Sequence, residues 1–355
     1  MSGFWRGRRV LVTGHTGFKG GWLSLWLSVL GAEVTGYALH PAPGPSFFEA
    51  TRLAGDIDSR IADVRDQAAL RETLQSRRPQ VIFHLAARSL VRESYEDPLE
   101  TFSTNVLGTA SVLEAVRSCA SAAAVVVVTS DKCYENREWI WPYRESDPVG
   151  GYDPYSSSKA CAELVTSAFR NSFFNADRYV DHGVGLASAR SGNVIGGGDW
   201  ARDRLVPDLV RGAREGRVTR IRNPGAVRPW QHVLEPLAGY LELARRLTTQ
   251  AAQCAGPWNF GPDAADSRRV EQVADAFCRA LGRGARWTQD EGSHPHEAQQ
   301  LRLDWSKARA GLDWQPRLGL DEGLRWTAEW YGAWLSGDDV RALSLRQIAL
   351  YERLA

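Results

Sequence analysis

A doubly wound parallel α/β sheet of the Rossmann type, with a smaller C-terminal α/β substrate domain, is predicted by three observations. An apolar run starting at Val10 breaks into evenly spaced glycines and then into a helical pattern. Short apolar runs alternate with longer helical patterns through the first half, as they do when helices cover both faces of a parallel sheet. The second half loses that alternation and is rich in Gly, Pro, Trp and Arg between Asn193 and Trp230.

Residues 10–13 form the first predicted strand. Gly14-His15-Thr16-Gly17-Phe18-Lys19-Gly20-Gly21 is a turn, and residues 22–27 belong to a helix. The spacing G-x-x-G-x-x-G fits either an architectural strand-to-helix turn or a phosphate cradle. In a cradle, glycines let a pyrophosphate approach and first-turn N–H groups face the anion. Residues 33–38 are the second strand, 59–62 the third, 81–87 a buried strand ending in small residues, 125–129 another, and 185–189 the sixth element. Helical patterns cover 99–119, 156–174, 235–248, 270–281 and 321–335, and 340–354 reads as a packing or capping helix. Residues 41–45 are a Pro/Gly loop. The predicted division is 1–188 with 230–262 as a dinucleotide-binding domain, and 189–229 with 263–355 as the substrate domain.

The 355-residue chain carries 43 basic and 42 acidic residues, a net charge of +1. That balance gives no reason to expect nucleic acid or an anionic membrane as partner. Five widely spaced cysteines, none in C-x-x-C, argue against disulfides and zinc and fit a reducing cytoplasm. Arg6, Arg8 and Arg9 precede apolar residues, but His15, Lys19 and the glycines interrupt any signal-peptide core. No apolar run reaches the roughly 18 residues of a membrane span. Most of the 14 tryptophans are expected to be packing residues. His296-Glu297 lacks matched partners for a metal and reads as a loop feature, so no metal site is predicted.

Two short segments carry chemistry. If Pro154 opens a helix, Tyr155 and Lys159 share one face, where an ammonium would favour the phenolate and make Tyr155 a base. The same spacing also occurs in ordinary helices. Thr129-Ser130-Asp131-Lys132 falls at a strand's carboxyl end, where side chains point into a cofactor cleft; a solvated charge pair in a turn is the bland reading.

Taken together, the glycine turn through Trp22, Thr129-Ser130-Asp131-Lys132-Cys133-Tyr134, the run from Arg190 to Trp200 and Arg228-Pro229-Trp230-Gln231-His232-Val233 resemble the nucleotide-sugar-modifying extended short-chain dehydrogenase/reductases. Within them the wording is similar to the 4,6-dehydratase branch that acts on CDP-D-glucose, over residues 5–335. The resemblance implies a redox-neutral dehydration with bound NAD, giving a 4-keto-6-deoxy sugar. It makes Tyr155 the base at O4, with Ser130 beside it and Lys159 on the nicotinamide ribose. Asp131 would protonate the departing C6 hydroxyl, and Lys132, where dTDP-glucose relatives carry glutamate, would take the C5 proton. It assigns the cofactor to Gly14, Thr16, Gly17, Phe18, Gly20, Asp63, Val64, Leu85, Ala86, Ala87 and Asn105 with Tyr155 and Lys159. It assigns the substrate to Asn193, Arg204, Leu205, Arg228 and Asn259. The acid usual at the end of the second strand is replaced by Ala38, so NAD rather than NADP rests on the resemblance. A homodimer or homotetramer, paired through the helices from Leu99 and Ser156, is implied. A 4-epimerase on the same fold needs no Asp131-Lys132 pair, and a non-catalytic NAD sensor needs neither Tyr155 nor Lys159.

Overall fold

The computed structural model describes residues 2–292, 294 and 298–354; His296 and Glu297 lie outside them. The first strands are β1 (Arg9–Thr13), β2 (Glu33–Ala38), β3 (Asp58–Ile61), β4 (Val81–His84), β5 (Ala124–Val128), β6 (Gly185–Ser191) and β7 (Asn193–Ile195). Then come β8 (Thr219–Ile221), β9 (Val227–His232), β10 (Gly256–Phe260), β11 (Ser267–Arg269) and β12 (Trp287–Gln289). The main sheet runs β10-β6-β5-β4-β1-β2-β3, and every pairing in it is parallel. The strand order reverses between β1 and β4, which opens a crevice beyond their carboxyl ends.

Burial on both faces explains the near-continuous apolar strands. Leu11, Ile82, Val125, Val127 and Leu186 join one core cluster. Val10, Val12, Phe83, Val126 and Ala187, which alternate with them, join the other. The expected strand at 81–87 stops at His84. The Leu85 and Ala86 amides bond the Thr13 hydroxyl, each at 3.1 Å, and the chain turns across the end of β1.

The glycine-turn helix spans Phe18–Val29. Trp22 stacks on Phe47 with centroids 4.7 Å apart, and its indole N–H donates to the Gly197 carbonyl at 2.9 Å. Gly21 leaves room for that stack, since a Cβ there would lie 2.7 Å from Phe47. The helix expected over 99–119 is interrupted. Pro98–Phe102 and Gly108–Arg117 are α-helical, and Ser103–Leu107 is a π-turn. The wider turn swings Asn105 inward, where it bonds the Arg88 backbone and Ser158.

A three-stranded sheet, β11-β9-β7, and the β12-β8 pair make the smaller layer. Strand β9 crosses residue 230 and belongs wholly to this second sheet. The last helix, Val340–Arg353, packs back onto the core. Ser344 accepts from the Trp330 indole at 2.9 Å, and Tyr351 donates to buried Glu235 at 3.0 Å. All five cysteines are free. No helix among the described residues is long and apolar enough to cross a membrane.

Candidate active site

The carboxyl ends of β1, β4, β5 and β6 open onto a cavity of about 940 Å³, at the upper end of the roughly 300–1,000 Å³ typical of small-molecule sites. On one side lies the glycine turn. Gly14 adopts φ +78°, and a Cβ there would meet the Ala86 nitrogen at 2.8 Å. At Gly20 a Cβ would stand 2.1 Å from the Gly14 carbonyl oxygen. Gly17 is the N-cap and offers no side-chain cap, and no acid sits in the first turn. The first-turn amides therefore face the cavity uncapped, which fits a bound pyrophosphate.

Of the expected cofactor residues, Thr16, Phe18, Asp63, Val64, Leu85, Ala86 and Ala87 line this cavity along with the three glycines. The Thr16 hydroxyl donates to the Leu39 carbonyl at 2.9 Å. Asp63 is held by Arg65 at 2.6 Å, a contact that draws its carboxyl below the usual range. Ala38 and Leu39 form the wall at the end of β2. Asn105 does not reach the cavity. It sits behind it, tying the loop after β4 to the Tyr155 helix, so its expected place at the cofactor becomes one step removed.

Pro154 does open a helix, Pro154–Ser172, with Asp153 as its cap accepting from the Ser156 amide at 2.9 Å. Tyr155 and Lys159 both face the cavity. Their coupling differs from expectation. The Lys159 ammonium donates to the Val128 carbonyl at 3.3 Å, and burial pushes its pKa down to about 8. Burial pushes Tyr155 up to about 12, opposed by its hydrogen bond with Ser130 and by Arg204. Desolvation thus outweighs the Ser130 hydrogen bond and the Arg204 charge at this phenol.

Residues Asp131–Cys133 form a single 3-10 turn after β5, capped by the Ser130 hydroxyl, which accepts the Lys132 amide at 3.2 Å. Ser130 donates to Asp131 Oδ1 at 2.9 Å, and Lys132 Nζ lies 4.0 Å from the same oxygen. Asp131 Oδ2 is buried without a hydrogen-bond partner among the described residues. Asp131 and Lys132 thereby share one wall with Tyr155.

Beneath this wall lies a buried ion pair. Glu163, one helical turn after Lys159, accepts from Arg190 at 2.8 Å and Ser188 at 2.7 Å, and also from Thr129. Burial alone would raise the Glu163 carboxyl, but Arg190 and the two hydroxyls outweigh it and hold it below 4.5. A carboxylate lowered by folding contributes stability above its ordinary pKa and loses it as the pH falls through the depressed value. Glu163→Gln is expected to cost about 3–5 kcal/mol near neutral pH. The deficit relative to wild type should shrink on acidification below 4.5. Urea titrations at the two pH values check this; an equal deficit at both would remove the charge from the explanation.

Among the substrate candidates, Asn193, Arg204, Leu205 and Arg228 line the cavity. Asn193 Oδ1 is buried without a hydrogen-bond partner among the described residues. Arg204 bonds Asp199 at 2.8 Å and the Ser89 hydroxyl at 3.0 Å. The Arg228 guanidinium is braced by the carbonyls of Val227, Ala298 and Gln299. Asn259 is corrected. It is fully buried outside the cavity, accepting from the Tyr134 hydroxyl at 2.7 Å and donating to the Tyr143 and Asp304 carbonyls. Its amide is consumed in holding β10 to the segment after Lys132. Lys19, Ser89 and Asp199 line the cavity without having been singled out. Lys19 was visible in the glycine motif; Ser89 depends on a bond across 115 residues that local pattern does not show.

A glycine turn without a cap, a Tyr155/Lys159 helix and an Asp131-Lys132 turn around one cleft define a nucleotide-sugar-modifying extended short-chain dehydrogenase/reductase. Residues 11–251 match the family described as GDP-mannose 4,6 dehydratase, and the chain belongs to that family. It is 55% identical to the CDP-glucose 4,6-dehydratase of Salmonella typhimurium over 98% of this chain and 97% of that protein. Identity to the UDP-glucose 4-epimerase of Mycolicibacterium smegmatis is 30%, over 91% of this chain and 98% of the epimerase. The fold superposes on the NAD-bound crystal structure of UDP-glucose-4-epimerase from Stenotrophomonas maltophila with a TM-score of 0.80 and 21% identity, covering 93% and 99% of the two chains. The dehydratase reading, rather than the epimerase alternative, is borne out by the first of these relatives.

Proposed function

We propose that this enzyme converts CDP-D-glucose to CDP-4-keto-6-deoxy-D-glucose and water. The observation that carries the reading is Asp131-Lys132 on the same cavity wall as Ser130 and Tyr155, an acid/base pair that epimerisation at C4 does not require. The uncapped glycine-turn helix would hold NAD, which when bound would supply an acceptor for the C4 hydride, to be given back to C6 after water is lost. Tyr155 takes the O4 proton as C4 is oxidised, with Ser130 holding the oxygen beside it. The C4 ketone acidifies the C5 proton, which Lys132 removes in its neutral form. Asp131 donates a proton to the departing C6 hydroxyl, and its unpartnered Oδ2 is free to make that contact. Arg204, Arg228 and Asn193 offer the cations and amide that a diphosphate and its sugar need.

Incubation with CDP-, dTDP-, UDP- and GDP-glucose, following the 4-keto product, tests the substrate. CDP-glucose should turn over fastest; turnover of dTDP-glucose alone would overturn the assignment.

The helix faces expected to pair in a dimer carry Leu99, Leu107 and Leu164, exposed to 81%, 60% and 59%. Sedimentation at micromolar concentration should show at least a dimer, and a monomer would count against it. Five unpaired cysteines suit a reducing, cytoplasmic setting.

A further inference from the structure

The cavity holds a cation that the mechanism leaves unused. Lys19 stands in the first turn of Phe18–Val29, and its side chain lines the cavity. Its ammonium donates to the Ser191 hydroxyl at 2.9 Å and to the Tyr240 hydroxyl at 3.5 Å. Both partners are neutral, and no carboxylate lies within ion-pair distance among the described residues. Ser191 ends β6. Val128 of β5 pairs with Ala189 of β6, so Ser130 and Ser191 each lie two residues beyond a paired position, side by side at the mouth of the sheet. Lys19 therefore sits on the strand-end ledge that carries Ser130, close enough to feel the charges of Asp131 and Lys159.

Burial, and the nearby charges of Lys159 and Arg204, press on the Lys19 ammonium, bringing its pKa down to about 7; Asp131 and Asp199 act in the opposite direction. Gln or Met would fill the same space without that penalty. A lysine retained in a reaction cleft despite this desolvation points to a task for its ammonium, which is present below about pH 7.

We propose that Lys19 sets the redox bias of the cofactor site, its unpaired positive charge disfavouring the pyridinium and favouring the neutral reduced nicotinamide. The inference rests on the NAD reading given above. In the oxidation step the C4–H bond breaks and its hydride passes to the nicotinamide, while the O4 proton passes to Tyr155. The sugar becomes a ketone, and the nicotinamide loses its positive charge. A fixed cation nearby repels the oxidised cofactor and leaves the reduced one untouched, so it favours hydride acceptance from C4.

The test is the ratio of NAD⁺ to NADH dissociation constants, measured by calorimetry below pH 7, where the Lys19 amine is charged, on the full-length protein freed of cofactor. Lys19→Gln should lower that ratio, Kd(NAD⁺)/Kd(NADH), by about tenfold, the size expected of one charge in a partly desolvated cleft. Lys19→Arg should restore it. Thermal unfolding verifies that the variants fold, and Lys19→Met makes the same comparison should Lys19→Gln not fold. An unchanged ratio, or equal weakening of both forms as a pyrophosphate ligand would give, overturns the inference. If wild-type protein binds neither form, the cofactor reading itself falls and takes this one with it.

Discussion

Tyr155→Phe will retain the fold and bind both cofactor and nucleotide sugar, yet turn over about a thousandfold more slowly than wild type. The phenol is buried against the cavity, and its backbone amide is already satisfied by Ser94 at 3.0 Å. Removing one oxygen therefore disturbs chemistry more than packing. Burial holds the wild-type phenol near 12, so it is protonated at neutral pH and its basic form grows as the pH rises. The rate should climb with pH until Lys159, lowered to about 8 by burial, loses the charge that supports the phenolate, and should fall beyond it. A pH–rate profile of kcat/KM checks both limbs. A flat profile, or a Tyr155→Phe variant as fast as wild type, would remove Tyr155 from the proton step.

Asp131→Asn is expected to separate the half-reactions. Oxidation at C4 needs Tyr155 and Ser130, whereas loss of the C6 hydroxyl needs a proton donor at the position of Asp131 Oδ2. An amide leaves the turn intact, because it still accepts from Ser130, but it delivers no proton. On mixing with CDP-glucose, the near-ultraviolet absorbance of reduced nicotinamide should build up and persist while product formation falls about 10²–10³-fold. Lys132→Ala should also stop before dehydration, with exchange of the C5 hydrogen into heavy water lost. Product formation by Asp131→Asn at the wild-type rate would require another acid, and C5 exchange at the wild-type rate in Lys132→Ala would remove Lys132 from its step.

The parts of this site legible in the sequence are those whose logic is local. The glycine turn declares itself because Gly14 must adopt a positive φ and Gly20 must pass against Gly14 within a few residues. Strand β5 is readable because Val125, Val126, Val127 and Val128 are buried on both faces. Asp153-Pro154 marks the start of the Tyr155 helix by its cap and its proline. The π-turn at Ser103–Leu107 was hidden, since its benefit is a hydrogen bond from Asn105 to Ser158, 53 residues away. Asn259 misled for the same reason: a polar residue at a strand end looks like a ligand until its partners, more than 40 residues distant, are in place.

The sheet, the glycine turn and the start of the Tyr155 helix were fixed locally, because period, glycine spacing and capping act over one or two turns of chain. Tertiary structure alone decided which charges those residues feel. Lys159 turns to the Val128 carbonyl, Arg204 is drawn to Asp199, and Lys19 meets Ser191 across 172 residues, with no counter-ion in ion-pair distance among the described residues. Burial and through-space charge depend on what the folded chain brings together, and these set the protonation of Tyr155, Lys159 and Lys19.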